Sequence, residues 1–158
     1  MLLAFGLAVA LLGAIPTYGP IPQPSPSVIS GVPKNSGEAL IVNSGSTNRA
    51  GYRLRVYAGG WTALQQGDMP VRKRVPSALI KRFFADLHAA GPLDQLPAAN
   101  CMKSASFGSS TRVAYRGTLS PDLTCPSRSA AARALAVDAD ALAAAAGVSM
   151  LPRPLTPP

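Results

Sequence analysis

The stretch YRLRVYAGGWTAL, residues 52–64, decides the fold class of this chain. Its first five residues alternate between apolar and basic side chains, which is the period of a half-buried antiparallel strand. Gly59-Gly60 is a hairpin signal, and the residues that follow it are predicted to return as the next strand. A short apolar run at 39–42 precedes this hairpin, so residues 38–66 are predicted to form a three-stranded meander. The second strand has an inner and an outer face, formed by Tyr52, Leu54 and Val56 on one side and Arg53 and Arg55 on the other.

The rest of the domain adds helices and one more strand. Apolar side chains recur every 3–4 residues between Pro76, which suits a first helical turn, and Gly91, which suits a helix end. Residues 109–115 alternate like a strand, and an Ala-rich stretch predicts a final helix of about 130–146. The order βββαβα indicates an α+β fold: an antiparallel sheet of about four strands with two helices packed on one face.

The composition divides the chain into four segments. Residues 1–19 are predicted to be a signal peptide or leader, because their apolar run ends at Pro16 and is shorter than the roughly 20 residues of a membrane span. A short uncleaved anchor is the alternative. Residues 20–37 are a Pro-rich spacer predicted to be disordered, residues 38–149 a single domain, and residues 150–158 a disordered tail.

The chain has two cysteines, Cys101 and Cys125. In an exported chain such a pair predicts a disulfide. A metal pair or a reactive thiol is the alternative, but the spacing is far from CxxC and His88 is the only imidazole in the chain. We therefore expect no metal site.

The net charge of +8 favours anionic partners, although a GC-rich genome that favours Arg codons also produces it. The basic residues are dispersed, and 72–74 is their only run, so the sequence carries no specific nucleic-acid signal. The predicted partner is an anionic envelope component or a protein, and no stable transmembrane span is expected after processing of the leader.

Catalytic signatures are scarce. The chain contains no GxSxG elbow, no Ser-x-x-Lys pair and no phosphate-binding Gly loop, and we expect no cofactor. Two Ser-rich loops, 43–48 and 103–110, have the hydroxyls, amides and cations to cradle an anion, although ordinary turn chemistry explains them too. The candidate anion or ligand residues of these loops are Ser46, Asn48, Arg49, Lys103, Ser104 and Ser106. Convergence of both loops at one sheet end would favour a site.

Several short motifs between residues 38 and 147 occur together. They are NSGSTN (43–48) with GY (51–52), RFF (82–84) with DL (86–87), CMKS (101–104) with SFG (106–108), and SPDL (120–123) with Cys125. As a set they resemble a group of small exported bacterial proteins of unknown function. The resemblance implies a single disulfide-bonded α+β envelope domain and implies no activity.

Three hypotheses on function follow. The first is a non-enzymatic binding or envelope-associated module, exported to the periplasm or outside the cell. The second is a small secreted hydrolase using Ser106 or Ser104 with His88, which requires the imidazole within hydrogen-bond reach of one hydroxyl. The third is an inhibitor of a secreted enzyme.

Overall fold

One antiparallel sheet of six strands is the frame of the domain. Its strands, in chain order, are β1 (Glu38–Asn43), β2 (Tyr52–Tyr57), β3 (Trp61–Gln65), β4 (Val71–Arg74), β5 (Thr111–Tyr115) and β6 (Thr118–Leu119). They lie side by side in the order β4-β3-β2-β1-β5-β6, and every neighbouring pair is antiparallel. The predicted meander is therefore the centre of the sheet, and the α+β class is confirmed.

The predicted number of about four strands is wrong, because β4 and β6 were not expected. Val71–Arg74 is exposed along its whole length and has no apolar alternation, so its sequence resembles a connection. β6 has two residues and pairs with β5 through a tight turn at Arg116-Gly117, where both residues have positive φ. Both missed strands lie at sheet edges, where burial imposes little pattern on the sequence.

Two helices begin and end close to where the sequence places them. Helix α1 spans Ser77–Ala90, directly after Pro76, and helix α2 spans Ala130–Ala146. At the start of α2 the Ser129 hydroxyl accepts a hydrogen bond from the Ala132 backbone N–H, and at its end Gly147 adopts the left-handed conformation. A short 3-10 helix, Leu93–Gln95, follows α1.

The core lies between one face of the sheet and both helices. We call this sheet side the inner face, and its buried apolar side chains share one cluster with those of α1 and α2. The largest fully buried members are Phe83, Ile41, Leu54, Ile80, Leu87, Leu93, Leu135 and Leu142. Both helices therefore pack on the same side, as the sequence predicts, and the opposite side of the sheet is an outer face.

The segment just before β1 is hydrogen-bonded to the sheet. The Gly117 N–H donates to the Pro33 carbonyl at 2.8 Å, and Pro33 is buried. The Ala58 N–H donates to the Gly37 carbonyl at 3.0 Å. The C-terminal part of the predicted spacer thus contacts the two turns at this end of the sheet.

The computed structural model describes residues 31–67, 69–104 and 106–148. The predicted leader at 1–19, the spacer up to residue 30 and the tail at 150–158 lie outside these residues. Within the described part of the chain, neither helix is long and apolar enough to cross a membrane.

Candidate functional site

The two Ser-rich loops meet at the end of the sheet where β1 ends and β5 begins. The Ser44 N–H donates to the Ser110 carbonyl at 2.9 Å, and the Ser110 N–H donates back to the Ser44 hydroxyl at 2.9 Å. Further along, the Asn48 N–H donates to the Ser106 carbonyl at 3.4 Å. The structure therefore brings together two loops that are about sixty residues apart in sequence.

Local side-chain bonds and glycines set the path of the first loop. The Asn43 side-chain oxygen accepts from the Gly45 N–H at 2.8 Å, which turns the chain directly after β1. Gly45 has a φ of +66°, and a Cβ at this position would lie 2.4 Å from the Gly51 nitrogen. Only glycine fits there, so the loop closes on itself and presents Arg49 beside the start of β2.

The cysteines form the predicted disulfide, and it lies at this same end. Cys101 and Cys125 are joined with a Cα–Cα distance of 5.5 Å. The bond connects the start of the second Ser-rich loop to the segment before α2. It therefore holds the base of that loop beside Thr124.

Lys103 holds the second loop in place from within. Its ammonium is bonded to the Asp122 carboxylate, to the Thr124 hydroxyl at 2.5 Å and to the Ser109 carbonyl at 2.6 Å. Those three partners match the three donors of an ammonium, which leaves Lys103 without a donor for an external anion. Lys103 and Arg49 thus do not form a joint anion site.

The serines of the predicted anion loops are mostly bonded within their own loops. Ser46 pairs with Arg49 through both backbone groups, and its hydroxyl is buried without a hydrogen-bond partner. The Ser104 hydroxyl accepts from the Ser106 N–H at 3.3 Å, and its carbonyl accepts from Gly108 at 2.6 Å. Of the six candidate residues, Arg49 lines a cavity at this end of the sheet, and buried side chains of the sheet such as Tyr52 and Thr111 line the same cavity.

We call this cavity the end pocket. Its volume is about 180 Å³, and it lies between the Ser-rich loops, the ends of β1, β2 and β5, and the C-terminal half of α2. Its lining residues are Asn43, Arg49, Ala50, Tyr52, Ser109, Thr111, Thr124, Asp140 and Val148. The alternation in the sequence places Tyr52 on the apolar face of its strand and predicts a strand around Thr111, but it does not single out either residue. Nothing in the sequence links Asp140 to them, since that contact depends on how α2 crosses the sheet.

Burial dominates the electrostatics of the end pocket. Burial raises the pKa of Tyr52 to about 12, and the neighbouring Asp140 carboxylate adds to that increase, so the phenol stays protonated. Burial also raises the pKa of Asp140. On the floor, the Asn43 amide donates to the Thr111 hydroxyl at 2.9 Å. The pocket thus combines a phenol, an amide, hydroxyls and both signs of charge.

A second feature, the arginine face, lies on the outer side of the sheet. The strand register places five guanidinium side chains there, three of them on exposed positions: Arg53, Arg55, Arg72, Arg74 and Arg112. Arg53 and Arg112 flank Val42 across β1, and Arg55 and Arg72 flank Ala63 across β3, so the members of each pair are roughly 10 Å apart. Residues dispersed in sequence thereby form one basic surface.

Aromatic side chains lie among these arginines. Trp61 is 41% exposed, stands opposite Tyr57 in the register, and has the Arg74 guanidinium 4.7 Å from its ring centroid. A groove of about 460 Å³ runs along β2 and β3 beside them, lined by Arg53, Arg55, Tyr57, Ala63, Gln65 and Pro70. Among the described strand residues of this face, Glu38 is the one carboxylate, and it is paired with Arg55.

His88 lies at the opposite end of β5 from the Ser-rich loops. Its Nδ1 is 2.6 Å from the Phe84 carbonyl, and its Nε2 is 3.0 Å from the Tyr115 hydroxyl. The length of β5, roughly 13 Å, separates Tyr115 from the strand end where the loops meet. The structure therefore does not bring His88 to Ser104 or Ser106.

Comparison of the chain with protein-family models, with curated proteins and with solved structures finds no match.

Proposed function

We propose that this protein is an exported, non-enzymatic domain that binds an acidic polysaccharide of the cell envelope through its arginine face. The observation that carries the proposal is the register of the sheet, which places five arginines and Trp61 on the outer side. Arg72, Arg74, Arg112 and Trp61 are the exposed members of this group. The disulfide supports the exported location, because such bonds persist in oxidising compartments.

Arginine is the residue type that suits this role. Its planar guanidinium donates two parallel hydrogen bonds to a carboxylate or sulfate and is more weakly hydrated than an ammonium. The paired arginines are spaced across the strands, so that a linear polymer with repeated anionic groups can contact several of them together. The net charge of +8 adds a long-range attraction that increases the association rate.

The aromatic side chains favour a sugar polymer over a lipid surface. Trp61 and Tyr57 offer amphipathic rings opposite each other in the register, with the Arg74 guanidinium over the Trp61 ring, so the aromatic surface lies among cations. The predicted export favours a polysaccharide over a nucleic acid, which also stacks on aromatic rings and is attracted by arginines. Oligouronate is the probe of choice, because each of its sugars carries one carboxylate.

The test is calorimetric titration with oligouronate at two salt concentrations. We expect binding that weakens steeply with salt, and a triple variant R72Q/R74Q/R112Q that binds at least about tenfold more weakly. The matched control is K81Q/R128Q/R133Q, which also removes three positive charges. These residues are exposed and lie on the two helices and in the segment just before α2. It is expected to bind within about twofold of the parent protein.

Three outcomes contradict the proposal. Equal losses in the two triple variants would assign binding to net charge and not to this face. Equal affinity for neutral dextran would remove the electrostatic basis. Tighter binding of oligothymidylate than of oligouronate would assign the face to nucleic acid.

A further inference from the structure

The end pocket holds two opposite charges that do not pair with each other. The ion pairs within the described residues are Glu38–Arg55, Arg82–Asp138 and Lys103–Asp122. Arg49 and Asp140 line the same cavity and belong to none of them. No hydrogen bond from the described part of the chain reaches either charged group or the Tyr52 hydroxyl. The cavity therefore presents an unused cation, an unused anion and an unused phenol.

We propose that the end pocket binds a small zwitterion, a free α-amino acid, with its carboxylate on Arg49 and its ammonium on Asp140. The Arg49 fork suits the carboxylate in two-point contact. The Tyr52 hydroxyl beside Asp140 supplies an acceptor for a second ammonium proton. Thr111 and Thr124 line the pocket with hydroxyls that suit the polar part of the ligand.

The charge pattern disfavours ligands that carry a single charge. A simple anion on Arg49 would face the Asp140 carboxylate, and a simple amine on Asp140 would face the Arg49 guanidinium. Arg49 and Asp140 are both exposed at the mouth of the pocket. A ligand with a single charge would cover the second of these charges without pairing it, which costs binding free energy. A molecule with both charges avoids this cost.

The size of the pocket limits the ligand. Its volume of about 180 Å³ is smaller than the roughly 300–1,000 Å³ of pockets for drug-sized molecules. An amino acid fits this volume, whereas a long peptide does not. The arginine face lies on the other side of the sheet, so this binding is separate from the proposed polysaccharide binding and either one can fail alone.

The test is an NMR titration of the backbone amides with the twenty common amino acids. For L-alanine, propionate and ethylamine serve as matched probes that carry one charge each. We expect saturable shifts of the Asn43, Tyr52 and Thr111 amides with at least one amino acid at millimolar concentration. The probes with a single charge should bind at least about tenfold more weakly than their zwitterion.

Variants then assign the contacts. R49Q and D140N should each weaken binding by about tenfold or more, whereas R128Q, which changes an exposed cation outside the pocket, should bind as the parent does. No saturable shift with any amino acid would overturn the proposal. So would propionate binding as tightly as L-alanine, or R49Q and D140N each lowering stability, since that would indicate that the two charges pair with each other in solution.

Discussion

Asp138 on α2 carries a buried carboxylate oxygen that has no hydrogen-bond partner. Its other oxygen accepts from Arg82 Nε at 2.6 Å, and the side chain is 2% exposed. Burial raises the pKa of Asp138, the neighbouring Asp86 adds to the increase, and Arg82 opposes it. Because the pKa is raised in the folded state, the contribution of Asp138 to stability is greatest at low pH and is lost as pH rises through that pKa.

The substitution D138N should therefore leave the protein at least as stable as the parent at pH 7, with a gain of up to about 1 kcal/mol. The amide oxygen still accepts from Arg82, and the new N–H donates to Asp86. The substitution D138A removes both interactions and should lower the unfolding free energy by about 1–2 kcal/mol. The figure is kept small because Arg82 is half exposed and solvent screens its charge.

Urea unfolding of both variants at pH 7 and pH 4 checks this. The advantage of D138N should shrink at pH 4, where protonated Asp138 supplies its own donor. Equal losses in D138N and D138A at pH 7 would show that the charge of Asp138 matters more than its missing donor.

At the scale of elements, Asp122 fastens the second Ser-rich loop to the start of β5. One of its oxygens accepts from the N–H groups of Thr111, at 3.2 Å, and Thr124, at 3.0 Å, and the other pairs with Lys103. Burial raises the pKa of Asp122, but the bonds from Lys103, Thr124 and Thr111 outweigh it, and the net shift is downward. The stability that Asp122 contributes is therefore present above its ordinary pKa of 3.8 and is lost as pH falls below that value.

The substitution D122N should lower the unfolding free energy by about 1–2 kcal/mol at pH 7, because it weakens charge-assisted bonds at a partly exposed site. The difference from the parent should narrow at pH 3. D94N, at an exposed carboxylate of the 3-10 helix, is the control and should change little. Denaturant titrations at the two pH values provide the measurement, and a loss that stays constant between them would argue against the assigned role of the charge.

The elements also show what the sequence can and cannot predict. The hairpin of β2 and β3 and the two helices follow from periodicity and end signals, since each buries one face against the core. β4 and β6 escape prediction because edge strands bury too little to pattern their residues. The Ser-rich loops were identified by composition, but their contact with each other and the cavity that they line together with Asp140 depend on tertiary packing.

Over the whole molecule, the arginine face shows the same limit. Alternation predicts that Arg53 and Arg55 lie on the outer side of one strand. Their assembly with Arg72, Arg74 and Arg112 needs the strand order and the register of four pairings. Basic residues that are dispersed in the sequence can therefore lie together in the fold, and the shortness of the only basic run, 72–74, is weak evidence against a polyanion surface.

The disulfide separates the two proposed sites. Cys101 and Cys125 are 24 residues apart and enclose β5 and β6, so the chain-entropy relation gives about 3–4 kcal/mol for closing this loop. The double variant C101S/C125S should lose up to that amount of unfolding free energy. The bond lies next to Thr124 in the wall of the end pocket. Four of the five arginines of the arginine face lie on β2 and β4, outside the enclosed segment, and only Arg112 lies within it. In the folded double variant, amino-acid binding should therefore weaken by at least about tenfold while oligouronate binding stays within about twofold. Denaturant unfolding and the two titrations on the same preparation check this. Equal weakening of both ligands would show that the disulfide maintains the whole sheet and not the loop end alone.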